Sequence, residues 1–354
     1  MYKPSLKYLF IVANSRSLWP QVTLIKYLND LDTSPYVICQ RPEDVETLRK
    51  ESLRFVPINR PQDIPTDYDV AFSQSAGLDN FEKSCLDHGK KLGKVNIKLH
   101  NSMSVYNKLI NVNYTRNRVN GRIHGICSKE HRSILHFKQF LPSVFYLNTG
   151  DPDWDYFRTQ EFTNAVKKTR DQYGKKILLI CTSFENGSIE VRFWKLITKW
   201  AEDSGFKPLI RSHPGREWAV PSELSKYVCS NLHRHVAMAA ASHALAEICS
   251  TVIGECMMLG TKVGSFPMVP HNKKYGKHDW IDNNQLWKGT VVKHIGGDFL
   301  SHVPYVHTSG TLNEFLSSPN PVITKQQMDS IWGWPRVNCY SEYLFKCVEE
   351  KVRG

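Results

Sequence analysis

Lys175-Lys176-Ile177-Leu178-Leu179-Ile180-Cys181-Thr182 is a short apolar run that opens directly behind a polar, charged stretch at 158–174. Such a run, bounded by polar residues, reads as a strand buried on both faces, the form strands take in parallel sheets covered by crossover helices. Downstream come helical spacing at 190–202, a strand at 208–211, helical stretches near 221–228 and 237–246, and a strand at 262–266. Upstream, strands at 8–13, 36–39, 54–58, 69–73, 94–99, 125–128 and 144–147 interleave with helical stretches at 20–31, 42–51, 80–88 and 129–140. Strand–helix alternation that restarts once predicts an α/β chain of two Rossmann-like domains. The 354 residues suit that division at about 150 residues per domain. The domains are expected at 1–157 and 175–335, with 158–174 as the link. In the tail at 336–354, Tyr343, Leu344, Cys347 and Val348 have helical spacing, and this helix is expected to pack back on the first domain.

Lys and Arg number 46 against 34 Asp and Glu, a formal charge of +12 with histidines neutral. That balance excludes an acidic solvating protein and points to an anionic partner. With 41% hydrophobic and 23% charged residues, the composition is that of a globular protein and not of a disordered or fibrous one. No stretch approaches the ~18 apolar residues of a membrane span. Tyr8-Leu9-Phe10-Ile11-Val12-Ala13 runs into Asn14 without a small-residue cleavage site, so it reads as a first strand rather than a secretion signal. Nine scattered cysteines without a Cys-x-x-Cys argue against a disulfide framework or a zinc knuckle and for a reducing, cytoplasmic setting.

Leu209-Ile210-Arg211-Ser212-His213-Pro214-Gly215-Arg216 ends a strand on a basic residue and an imidazole, at the carboxyl end where open α/β sheets bind ligands. Arg211 offers a forked donor and His213 a second one, a pair suited to a diphosphate. Roughly 40 residues on, Ser250-Thr251 precede the apolar helix Val252-Ile253-Gly254-Glu255-Cys256-Met257-Met258. Hydroxyls at such a place cap a helix or hold phosphate oxygens. Taken singly, each stretch reads most simply as a polar loop or an ordinary cap. Their order and separation are more specific.

Together they resemble the donor half of GT-B transferases, and in particular the CDP-glycerol glycerophosphotransferases and related capsule and teichoic-acid glycosyltransferases. That family has a strand followed by His-Pro and, later, paired serines with an acid one turn on. His213-Pro214 matches the first, Ser250-Thr251 stand for the serines and Glu255 for the acid, while Ile248-Cys249 occupies the place of the family's Asp-Tyr. The departure leaves a sugar donor as open as a glycerophosphate one. Asn96-Ile97-Lys98-Leu99-His100-Asn101-Ser102 lies where the family carries an essential histidine, matched by His100, and Gly150-Asp151-Pro152-Asp153-Trp154-Asp155 resembles its Gly-x-Pro-x-x-Asp turn. The resemblance implies two Rossmann-like domains facing a central cleft, the acceptor half first and the nucleotide-donor half second. It also implies a nucleoside-diphosphate-activated sugar or polyol donor as substrate, with no metal and no further cofactor. In that reading His100 and His213 are catalytic, His100 as the base; Arg211, Ser250 and Thr251 hold the departing phosphates, and Glu255 bonds a ribose or sugar hydroxyl.

Asn14-Ser15-Arg16 follows the first strand without a Rossmann glycine, which argues against a dinucleotide site and for a loop facing the acceptor. Lys108, Arg116, Arg118, Arg122, Lys129 and Arg132 crowd one stretch with Tyr106 and Tyr114. Asn14, Arg16, Lys108 and Arg122 are the expected acceptor contacts. The acceptor is expected to be an anionic polymer or surface glycan, met by a cytoplasmic protein peripheral at the inner face of the membrane. A hydroxymethylated DNA base is the second acceptor class. A non-catalytic nucleic-acid-binding protein ranks third, since no helix-turn-helix, zinc-finger or RNP signature is present. His233-Arg234-His235 reads as an exposed basic turn rather than a metal pair, and Asp151, Asp153 and Asp155 as a structural turn without the glycine and length of a calcium loop.

Overall fold

The computed structural model describes residues 2–12, 18–39, 41–74, 80–99, 123–126, 145–182, 188–212, 220–229, 231–247, 252–266, 303–304, 306, 308–318 and 337–354. The chain divides into two compact units, Met1–Tyr156 with Asp329–Gly354, and Phe157–Met328. In the first, β1 (Tyr8–Val12), α1 (Leu18–Asp30), β2 (Tyr36–Cys39), α2 (Pro42–Lys50), β3 (Val56–Ile58), β4 (Val70–Gln74), α3 (Asn80–Lys91), β5 (Val95–Leu99), β6 (Ile123–Ile126) and β7 (Phe145–Asn148) follow in order. The seven strands form one parallel sheet, β3-β2-β1-β4-β5-β6-β7. All five residues of β1 are buried. Tyr8, Phe10 and Val12 face Val22, Ile25 and Leu28 of α1, while Leu9 and Ile11 meet Cys85 and Leu86 of α3 on the other side. A strand covered on both faces has no polar side to show, which is why it reads as an unbroken apolar run.

The second unit opens with α4 (Gln160–Tyr173) and continues with β8 (Ile177–Cys181), α5 (Ser188–Asp203), β9 (Lys207–Arg211), α6 (Arg234–Ala240), β10 (His243–Glu247), α7 (Val252–Met258), β11 (Lys262–Phe266) and α8 (Ser309–Ser317). Its parallel sheet runs β11-β10-β8-β9. From β8 the chain crosses to β9 on one side, and from β10 to β11 on the other. The carboxyl ends of β8 and β10 therefore flank a topological switch point, where open sheets hold ligands.

The second unit departs from the sequence pattern in two places. The stretch at 158–174, expected as a link, is mostly α4: Thr159 caps it by accepting the N–H of Phe162, Phe162 and Thr169 are buried, and Arg170 donates to the carbonyls of Ala239 and Ala240. Only this narrow stripe is buried, so the sequence looks like a polar connector. The helix expected at 237–246 is instead α6, ending at Ala240, followed by strand β10. Alanine favours helix intrinsically, but His243-Ala244-Leu245-Ala246-Glu247 lies between two strands, and the sheet overrides the local preference.

The C-terminal helix α9 (Tyr340–Arg353) belongs to the first unit. Leu344, Phe345 and Val348 join its core, with the Phe345 ring 4.8 Å from that of Tyr8 and 5.9 Å from that of Phe72. The start of α9 rests on the Gly-x-Pro-x-x-Asp turn. Asp155 accepts the N–H groups of Tyr340 at 2.6 Å and Ser341 at 2.8 Å, a carboxylate placed where a helix leaves its first donors unbonded. Gly150 has φ +70, and a Cβ there would lie 2.5 Å from the Tyr340 ring. Asp151 accepts from the N–H of Asp153, and Asp153 from the hydroxyl of Thr23 on α1. All three aspartates of the turn thus bond protein groups.

Near the other end of α9, buried Glu349 binds the start of the chain. Its Oε1 accepts the N–H of Ser5 at 2.6 Å, the N–H of Leu6 at 3.0 Å and the Tyr8 hydroxyl at 2.9 Å, and its Oε2 accepts the hydroxyls of Tyr2 and Ser5, both at 2.7 Å. Burial raises the carboxyl pKa, but these donors outweigh it and bring Glu349 to about 2. Because the folded value lies below the ordinary 4.5, the stabilisation is complete above pH 4.5 and is lost as pH falls through 2. Glu349→Gln is expected to cost about 3 kcal/mol of unfolding free energy at pH 7. The gap to wild type should narrow at pH 3 in urea denaturation, and a pH-independent gap would contradict the assignment.

Candidate functional site

At the carboxyl end of the second sheet, Thr182 donates its N–H to the carbonyl of Arg211, so the chain leaving β8 stays on β9. Val228 forms a bridge with Ile210, and the N–H of Cys229 bonds the Ile210 carbonyl at 2.9 Å. The Arg211 guanidinium turns toward the segment that follows. Its Nη1 donates to the carbonyls of Cys229 at 3.2 Å and Leu232 at 2.5 Å, so the turn between them folds around a fixed positive charge. Ser212, the next residue, is buried.

That turn leads directly into His233, Arg234 and His235 at the start of α6. They do not form the exposed turn expected from sequence: His235 is 1% exposed, its ring edge-on to Phe157 at 4.7 Å and 5.3 Å from the ring of His233. An imidazole two residues into a helix whose next residues, Val236–Ala240 in sequence, are all buried must itself face inward. The partner is Glu255 of α7, 7% exposed. Its Oε1 lies 3.3 Å from Nη2 of Arg234 and its Oε2 3.5 Å from Nε2 of His235. Burial pushes the Glu255 carboxyl up, yet Arg234 first and His235 second outweigh it and hold the pKa at about 2. Glu255 is thus ionised. His233 is driven down to about 3 by burial first and then by its neighbours His235, Arg234 and Arg211, so it is neutral. Burial raises the thiols of Cys181 and Cys256, and that of Cys229 to about 11, leaving them uncharged.

Arg211 and Glu255, two of the residues singled out from sequence, are therefore brought to one end of one sheet and linked through 229–235. His100, His213, Ser250, Thr251, Asn14, Arg16, Lys108 and Arg122 lie outside the described residues. Arg234 and His235 were missed as site residues. The available signal was the unbroken apolar run after His235, which places that ring on the core side of a helix. Among the described residues, no group of three or more His, Cys, Asp or Glu is gathered as a metal would require.

No protein-family model and no curated protein matches the sequence. Solved structures do. The wall teichoic acid polymerase TagF aligns with a TM-score of 0.64 at 11% identity, over 98% of this chain and 89% of that one. The spinosyn forosaminyltransferase SpnP aligns at 0.53 and 12% identity, over 99% and 100% of the two chains. The fold is GT-B. UDP-N-acetylglucosamine 2-epimerase from Rickettsia bellii shares the architecture, with a TM-score of 0.59 at 12% identity over 98% of this chain and 97% of that one. The expected pair of Rossmann-like domains, with a likeness to a teichoic-acid enzyme, holds. Because an epimerase also adopts a GT-B architecture, the reaction has to be argued from the site. No helix among the described residues is long and apolar enough to cross a membrane.

Lysine at 211 keeps the charge, but its side chain ends one bond short of the Nη1 that serves both carbonyls. Arg211→Lys is expected to destabilise the protein by about 1–2 kcal/mol in thermal or urea unfolding. An unchanged unfolding midpoint would show that the guanidinium does not hold the Cys229–Leu232 turn.

Proposed function

We propose that the chain is a glycosyltransferase-type enzyme whose second unit binds a nucleoside-diphosphate-activated sugar or polyol donor, for transfer to a hydroxyl of an anionic polymer or surface glycan. The observation that carries the reading is the pairing of Arg234 and His235 with the buried Glu255 carboxylate beside the turn held by Arg211, near the switch point of the second sheet. Cationic and protonatable donors at the carboxyl ends of parallel strands suit a leaving group that accumulates negative charge. In this reading His213, two residues past the end of β9 in sequence, and the hydroxyls of Ser250 and Thr251, which precede α7 in sequence, also bind the phosphates. With these groups on the phosphates the reaction needs neither a divalent metal nor a further cofactor.

His100, which follows β5 in the first unit, removes the proton from the acceptor hydroxyl. The acceptor oxygen then bonds to the sugar carbon as a nucleoside diphosphate departs, or to the polyol-bearing phosphorus as a nucleoside monophosphate departs. Glu255 is better suited to positioning Arg234 and His235 than to the ribose contact expected from its place in the sequence, because its two oxygens already face those cations. Asn14, Arg16, Lys108 and Arg122 are assigned to the acceptor. A teichoic-acid-like polymer as acceptor is favoured by the likeness to the wall teichoic acid polymerase TagF, and a cytoplasmic place at the membrane surface is part of the same proposal. A DNA base as acceptor, or a purely nucleic-acid-binding role, finds no such support.

Titration calorimetry with CDP, UDP and GDP is expected to give binding by at least one of them. His213→Asn should weaken that binding tenfold or more with the unfolding midpoint unchanged. His100→Ala should leave donor affinity in place and reduce turnover by about 100-fold or more, the typical contribution of a general base. Failure of all three nucleotides to bind would contradict the reading.

A further inference from the structure

A single nitrogen in the cluster has two neighbours that require opposite protonation states. Nε2 of His235 lies 3.0 Å from Nε of Arg234, which can only donate, and 3.5 Å from Oε2 of Glu255, which as a carboxylate can only accept. A neutral ring with its proton on Nδ1 accepts from Arg234. A protonated ring donates to Glu255 instead. Arg234 also contacts Glu255 through Nη2, and its side chain is 30% exposed, whereas those of His235 and Glu255 are 1% and 8% exposed.

We propose that Arg234 is an anion ligand of this site and that His235 is its proton-coupled substitute, protonating to pair with Glu255 when Arg234 turns toward a bound diphosphate. The inference rests on the donor reading above. Its physical basis is that a buried carboxylate stripped of the arginine beside it is strongly destabilised. His235 is the group in contact that can replace the charge, at the cost of one proton taken from solvent. Among the described residues, the titratable and charged groups on the elements packed around α6 do not compete. His233 on the same helix start is held neutral, Arg211 of β9 is engaged with the Cys229–Leu232 turn, Cys181 of β8 and Cys256 of α7 are uncharged, and Arg170 of α4 binds the opposite end of α6. No bond is made or broken apart from that proton's transfer to Nε2.

The test is calorimetry of CDP, UDP, GDP and inorganic pyrophosphate at pH 7.5, in two phosphate-free buffers of different ionisation enthalpy. Wild type should take up close to one more proton per ligand than His235→Gln, whose amide donates to Glu255 at every pH. Wild-type affinity should also fall as pH rises, by up to tenfold per unit, and the variant's should not. Arg234→Gln, at a partly exposed position, should weaken all four ligands at least tenfold and abolish the uptake. Nucleotide binding without uptake, or with uptake unchanged in His235→Gln, overturns the proton-coupled substitution and leaves the donor reading standing. Pyrophosphate binding with uptake while every nucleotide fails overturns the donor reading and keeps the substitution. Failure of all four ligands overturns both.

Discussion

An ionised carboxylate inside a protein must be compensated by cations or hydrogen-bond donors, and Glu255 has Arg234 and His235 beside it, from a segment some twenty residues earlier in the chain. That pairing fastens α7 to the start of α6. The start of α6 is in turn held by the turn whose carbonyls wrap Arg211 at the end of β9. A strand end and a helix separated by a crossover thereby become one polar surface at the carboxyl edge of the sheet. Without Glu255 the Arg234 guanidinium would lose the carboxylate beside it and the His235 ring the acceptor 3.5 Å from its Nε2.

The first unit applies the same device to a different end. The last helix returns to the first unit, where Leu344, Phe345 and Val348 enter the core and the helix ends are fixed by carboxylates. Asp155 holds the start of α9 through two backbone N–H groups, and Glu349 gathers five donors from residues 2–8. Both carboxylates are fixed by donors rather than by isolated ion pairs. Hydrogen bonds to a charged acceptor are the stronger kind and are geometrically specific, which suits a clasp that must select one register of a long helix.

Strands such as Tyr8-Leu9-Phe10-Ile11-Val12 and Ile177-Leu178-Leu179-Ile180-Cys181 were legible because burial on both faces forces them to be wholly apolar. The amphipathic α4 was not, since one narrow buried stripe in a charged stretch resembles a link. β10 was not, since its alanines favour a helix until two flanking strands claim its backbone. Within the site, Arg211 stood out by ending a strand and Glu255 by its place one turn into a helix. Arg234 and His235 were hidden because a basic tripeptide looks solvated, and only a buried acid on another element reverses that inference. Sequence spacing reports neighbours along one element; the partner that decides burial lies on another.

The central claim is that this cluster holds the phosphates of an activated donor. A crystal structure of the protein soaked with the nucleoside diphosphate that binds would test it most directly. The account predicts phosphate oxygens within about 3 Å of the Arg234 guanidinium at the carboxyl ends of β8 and β10, with Nε2 of His235 closed onto Glu255. Phosphates bound in the first unit, or bound in the second with Arg234 still resting on His235 and Glu255, would contradict it.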